Sequence, residues 1–129
     1  MSAQPVDWLL AVIEAGVAAS LELVADEVGF DATVPTWRFT VLGGKAVSDK
    51  LAEWFRDPGR FEELRRGLLP DGEIIEFPLT WTKRGLPYAC HQVDVVVADG
   101  RVAADTVFCG GRWPASLLAE MAEADLAHR

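Results

Sequence analysis

Apolar residues recur along this chain with two periods. From Val6 to Val28, Trp8, Leu9, Val12, Ile13, Val17, Leu21 and Val24 return every three or four positions, which predicts an amphipathic helix. Asp7 near its start suits the helix dipole. Gly16 weakens the middle and marks a candidate bend, and Gly29 is the expected stop. A second helix is expected over Ala46–Phe55, with Val47, Leu51, Trp54 and Phe55 on one side. After the break at Pro58-Gly59, a short third helix is expected over Phe61–Leu68. Pro114 opens a last helix whose apolar face is Leu117, Leu118 and Met121.

The other period is two. Phe30 to Leu42 reads as extended, with Pro35 at a bulge or an edge. In Glu73 to Thr82, Ile75, Phe77, Leu79 and Trp81 alternate with Glu76, Thr80 and Thr82, the pattern of a half-buried strand. Tyr88 to Trp113 then reads as two long strands joined at Asp99-Gly100. The resulting order is helix, strand, two helices, three antiparallel strands, helix. Its simplest packing is α+β: a cone-shaped curved antiparallel sheet with the N-terminal helices over its concave face. Such a cone has an apolar interior and an open mouth, the usual form of a small-molecule pocket.

The turn at Asp99-Gly100 decides which side chains share a face. A two-residue loop puts Cys90 opposite Cys109. A three-residue loop of Ala98-Asp99-Gly100, with Gly100 left-handed, puts Val97 opposite Arg101. The slip of one residue reverses one strand's faces relative to the other. The single glycine at the third loop position favours the longer loop. In that register His91, Val93, Val95, Ala103, Asp105, Val107 and Cys109 share a face, and His91 and Asp105 are diagonal neighbours. Asp94 and Gln92 then fall on the convex face. If Thr82 pairs with Tyr88, Leu79 lies opposite His91 and Phe77 opposite Val93, which points His91 inward.

Composition narrows the classes of function. The 129 residues fit one domain spanning 1–129, and half of them are hydrophobic, five being tryptophan. A net charge of −8 argues against nucleic-acid partners. No apolar run reaches about 20 residues, and no basic leader precedes a hydrophobic segment, so neither a membrane partner nor secretion is expected. Two cysteines are expected as reduced cytoplasmic thiols. His91 and His128 have no ligand spacing around them, so no metal site is expected, and no cofactor is implied.

Four segments resemble the nuclear-transport-factor-2-like superfamily, which includes the SnoaL-like polyketide cyclases and the ketosteroid isomerases. They are Ala25-Asp26-Glu27-Val28 closing the first helix, Asp31-Ala32-Thr33-Val34, Gly44-Lys45-Ala46-Val47, and the Asp99-Gly100-Arg101-Val102 hairpin. In order they cover nearly the whole chain. The resemblance implies a cystatin-like cone, and little about activity, because the fold hosts catalysts and non-catalysts alike. The isomerases' catalytic aspartate corresponds here to Thr36, and their proton-donating acid to Val93. The Asp-Arg-Asp set of the fold's epoxide hydrolases lacks an evident arginine on the inner strands. The cyclases' aspartate on the last strand, with a histidine on the preceding one, corresponds to Asp105 and His91.

These residues set the expectations. Asp105, raised in pKa by apolar burial, is the expected acid/base with His91 as its partner. Trp37, Phe39, Trp54, Phe77, Leu79, Trp81, Val93, Val107 and Cys109 are the expected walls around an apolar, cyclic small molecule. Cys109 reads as a buried, inert thiol. A homodimer over the convex face is the expected assembly. The competing expectations are a non-catalytic container for a hydrophobic ligand and a dimerisation scaffold.

Overall fold

The alternating segments around Asp99-Gly100 become the centre of a seven-stranded sheet. The computed structural model describes residues 5–15 and 24–128. Its elements are α1 (Pro5–Ala15), β1 (Val24–Val34), β2 (Trp37–Leu42), α2 (Gly44–Trp54), β3 (Arg60–Phe61), β4 (Arg65–Leu69), β5 (Gly72–Lys83), β6 (Leu86–Asp99), β7 (Arg101–Pro114) and α3 (Ala115–Ala127). The strand order is β2-β1-β7-β6-β5-β3, with β4 also on β5. Only the β1–β7 pairing is parallel. Leu9, Val12 and Ile13 of α1, Val47 and Leu51 of α2, and Phe55 just after it enter one core with Phe30, Ile75, Phe77, Leu79, Val96 and Val107. This is the α+β sheet-and-helix packing that the two periods imply. Among the described residues no helix is long and apolar enough to cross a membrane.

Two stretches differ in kind from the sequence expectation. Val24–Val28 is not the end of a helix but the start of β1, and Gly29 lies inside that strand opposite Leu42 and Ala104. The buried positions Val24 and Val28 have helical spacing, yet pairing with β2 and β7 overrides it. The expected bend at Gly16 lies outside the described residues. Phe61–Leu68 is not a helix either. Leu69 pairs with Gly72, so the turn at Pro70-Asp71 folds β4 back onto β5. Gly67 in its middle would have weakened a helix.

Two turns set the faces of the long strands. Arg84 (φ 55°) and Gly85 (φ 77°) form a two-residue loop closed by Lys83 and Leu86. Two successive positive φ angles mark the type I′ turn that matches strand twist. This shifts the pairing by one residue from the expected register, so Leu79 faces Cys90, Phe77 faces Gln92, and His91 faces Pro78. At the other end Asp99 pairs with Arg101 around Gly100 (φ 75°), and the register steps between Val97 and Ala98. Val96 therefore faces Asp105 and Asp94 faces Val107, which is neither of the two expected registers.

A second step follows between Cys90 and Gln92, where Gly110 and Gly111 stand opposite His91 as a bulge. Gly111 has φ 131°, and a Cβ there would lie 2.9 Å from Trp113 Nε1. Only glycine suits this position. The bulge places Arg112 opposite Cys90 and so on the inner side of the sheet.

Candidate functional site

The inner face of β6 and β7 carries an unusual polar column. Cys90, Gln92 and Asp94 alternate down β6, with Cys109, Val107 and Asp105 facing the same way from β7. Asp94 and Asp105 are both fully buried, at 0% exposure. Gln92 Nε2 donates to Asp94 Oδ1 at 2.7 Å. Asp94 Oδ2, both oxygens of Asp105 and Gln92 Oε1 meet no donor from the described residues. The two carboxyls share one buried site and feel each other's charge. Burial pushes the Asp94 carboxyl up to about 6, while neighbouring Asp105 and the Gln92 amide pull it down. Burial, and then the charge of Asp94, push Asp105 well above the ordinary carboxylate range. The pair titrates as a unit, and Asp105 is the carboxyl that burial and its neighbour's charge favour in the protonated form.

Nearer the mouth, Cys90 and Cys109 are unbridged and buried. The neighbouring Cys90 thiol lowers Cys109 to about 6 against the effect of burial, helped by the Gly111 backbone and by Arg112. Cys90 is raised. Beside Cys109 opens a depression of about 230 Å³ lined by Val34, Pro35, Phe39, Trp54, Gly111 and Arg112. Its aromatic wall is tight: Trp54 meets Phe30 edge-on at 5.5 Å and Phe39 at 5.6 Å. Among the described residues no group of three His, Cys, Asp or Glu side chains is placed to hold a metal ion.

No protein-family model and no curated protein matches this sequence. Solved structures do match. An NTF2-like protein from Anabaena variabilis superposes with a TM-score of 0.68 at 12% identity, over 81% of this chain and 83% of that one. The fold is nuclear-transport-factor-2-like. An LEH-like epoxide hydrolase of M. tuberculosis gives a TM-score of 0.59 at 15% identity, over 81% and 79% of the two chains. An epoxide hydrolase/cyclase-like enzyme of pyran ring formation in the polyether salinomycin gives 0.59 at 13%, over 81% and 87%.

The NTF2-like frame sorts the sequence candidates. Asp105 lies inside, but His91 does not join it. With the register shifted by one, His91 points to the outer face, where Nε2 lies 3.1 Å from Glu76 Oε2. Asp94, expected outside with Gln92, takes its place. Val93 also lies on the outer face, and Trp37 stands at the end of β2 with 71% exposure, so neither walls the depression. Phe39, Trp54 and Cys109 do line it. Phe77, Leu79 and Val107 are core residues, and Trp81 and Leu79 border a narrow crevice beside Arg112. The residues missed from sequence are Asp94, Gln92 and Arg112. A two-residue turn at Arg84-Gly85 was the signal for the first two, since it sets Phe77 opposite Gln92. The Gly110-Gly111 bulge was the signal for the third.

Proposed function

We propose that this chain is a small-molecule enzyme of the NTF2-like fold, in which Asp94 and Asp105 move a proton on an apolar cyclic substrate without a cofactor. The observation that carries this reading is the pair of fully buried, adjoining carboxyls with three oxygens lacking a donor. Leaving such groups unsatisfied costs about 1–3 kcal/mol each, which packing alone does not require. Ionised Asp94 is suited to take a proton from water or from carbon. Protonated Asp105 is suited to give its own to an oxygen gaining charge. The pair then holds one proton before and after the step. Opening or closing of a cyclic ether fits this exchange, as does isomerisation of a cyclic enone. The likeness to an epoxide hydrolase and to an epoxide hydrolase/cyclase-like enzyme supports the first class.

The test is turnover of cyclic epoxides and cyclic enones by the wild type, Asp94→Asn and Asp105→Asn. Each variant is expected to lose at least about 100-fold in kcat/KM. Activity that survives both substitutions would overturn the assignment.

One observation favours a second reading, a non-catalytic container. The acids have no exposure, and buried Val107 stands on the inner face of β7 between Asp105 and Cys109, which borders the depression. Tryptophan quenching by ligand with no turnover of any panel member would select it. Under either reading a homodimer is proposed across the outer face, where Ile74 and Phe108 are 38% and 52% exposed beside Val93 and Val95. The unbridged thiols fit a reducing, cytoplasmic setting.

A further inference from the structure

We propose that Arg112 anchors the carboxylate of the bound small molecule, so that the ligand is an apolar acid of one or two rings. This rests on the small-molecule reading and adds the chemical class of the ligand. The first argument is placement. Without the Gly110-Gly111 bulge, the β6–β7 register would set position 112 opposite Ala89, on the outer side with His91. The bulge spends a strained glycine to bring a guanidinium inside, opposite Cys90.

The second argument is how the guanidinium is held. It lies 5.1 Å from the Trp81 ring and 5.7 Å from those of Trp54 and Phe55. Nη2 donates to the Trp54 carbonyl at 2.6 Å. The rings and that bond fix the plane of the fork. Arginine has five N–H donors, and no other acceptor for them is found among the described residues. The fork borders the same depression as Phe39, Trp54 and Cys109. A bidentate carboxylate is the partner its geometry suits best.

The third argument is charge. Acidic residues outnumber Lys and Arg by 20 to 12, and Arg38, Arg65, Arg66 and Arg101 each have a carboxylate partner. Arg112 has none among the described residues. Asp57 borders the adjoining crevice, and Asp94 and Cys109 lie deeper on the inner face, but none makes an ion pair with it. Arg56, Arg60 and Arg84, exposed like Arg112, also have no carboxylate partner among the described residues, but Arg112 alone of the four is held against aromatic rings there. A second cation stands nearby: Lys50 Nζ is 5.3 Å from the centre of the Phe39 ring, held on its other side by Glu53 at 3.5 Å. An acidic protein with a cationic, aromatic recess selects an anion with a flat apolar body. At about 230 Å³ the recess is smaller than a drug-sized pocket, which limits that body to one or two rings.

The experiment is tryptophan-fluorescence titration with 2-naphthoate and its methyl ester, on the full chain. Naphthoate is expected to bind at least tenfold tighter than the ester in the wild type. Arg112→Gln removes the preference while leaving ester affinity in place, and Arg112→Lys keeps only part of it. Asp105→Asn keeps the preference whole, because the acid pair is not the anchor. Equal binding of acid and ester by the wild type overturns the anchor and leaves the pocket standing, as does an acid preference that survives in Arg112→Gln. Failure of both probes to bind overturns the anchor together with the pocket. Acid preference with no turnover of any substrate keeps the anchor and removes the catalytic reading.

Discussion

Two buried acidic sites lie in this sheet, and they differ in one respect. Glu73 on β5 is 2% exposed, and Arg66 on the neighbouring β4 grips it with both arms, Nε to Oε2 at 3.0 Å and Nη2 to Oε1 at 2.9 Å. The third nitrogen reaches Asp7 of α1 at 3.1 Å. The bond to Glu73 raises the Arg66 pKa further and so strengthens its hold on the proton. Asp94 and Asp105 are as deeply buried, with no cation in ion-pair contact among the described residues and with oxygens left over. A buried carboxylate in an arginine fork ties β4, β5 and α1 together. A buried carboxyl without a counter-ion does nothing for the fold that an amide could not do. Burial alone does not mark chemistry in this protein; burial without a counter-ion does.

The largest effect should come from breaking the first site. Arg66→Met leaves Glu73 charged and unpaired inside the sheet, and this is expected to cost about 3–5 kcal/mol. Urea unfolding monitored by tryptophan fluorescence measures it. The double variant Arg66→Met with Glu73→Leu should regain most of the loss, because both charges then leave together. A loss under about 1 kcal/mol for the single variant would mean that Glu73 is no structural tie, and the contrast between the two sites would fail.

The next effect belongs to the acid pair and has the opposite sign. Both carboxyls have folded-state pKa values above those of the unfolded chain. The folded state therefore binds more protons. The stability that the pair contributes is complete below the unfolded value of about 4 and is lost as pH rises through about 6 and beyond. Asp94→Asn should stabilise the protein at pH 8 by on the order of 2–3 kcal/mol, with the gain shrinking towards pH 5. Asp31, lowered chiefly by its bond to Arg38, has the opposite slope: its contribution is complete above its unfolded pKa and is lost only as pH falls below that value, outside this window. Urea curves at pH 5, 6.5 and 8 give the slope. A wild-type slope equal to that of Asp94→Asn would show that the pair carries no proton penalty.

Much of the fold was legible because period-two alternation survives packing. Ile75, Phe77, Leu79 and Trp81, and the long hairpin around Asp99-Gly100, identify strands whatever surrounds them. The helix expected over Val24–Val28 and the one over Phe61–Leu68 were not strands by local pattern. Both became so by pairing with residues far along the chain, Val24 with Val102 and Arg65 with Glu76. The site depends on something finer, the parity of two turns and a bulge. An error of one residue at Arg84-Gly85 exchanges His91 for Gln92, and the same error at Gly100 turns Asp94 outward. Asp105 could be named from sequence because an acid in an apolar run is visible. Its partner could not, because parity is fixed by φ angles at Arg84, Gly85 and Gly100, and no alternation in the strands themselves records those.

The smallest effect tests that parity directly. His91 and Gln92 are adjacent on β6 and point to opposite sides of the sheet. His91 shares Glu76 with Arg65, whose Nη1 lies 3.6 Å from Glu76 Oε1, and both members of the His91–Glu76 pair are well exposed, at 47% and 40% of their side chains. An ion pair in that setting is worth about 0–1 kcal/mol, and Arg65 remains to hold Glu76 when the imidazole is removed. His91→Ala should therefore change stability by less than about 0.5 kcal/mol and leave kcat/KM within about twofold on any substrate the protein turns over. Gln92→Ala, one residue along, removes the only side-chain donor to Asp94 among the described residues and leaves that carboxylate barer still. It should lower activity and raise the Asp94 pKa, read as an upward shift of the acid limb of the pH–rate profile. If the two alanine variants behaved alike, the inward and outward faces of β6 would not be distinct environments. The assignment of the acid pair would then lose its basis.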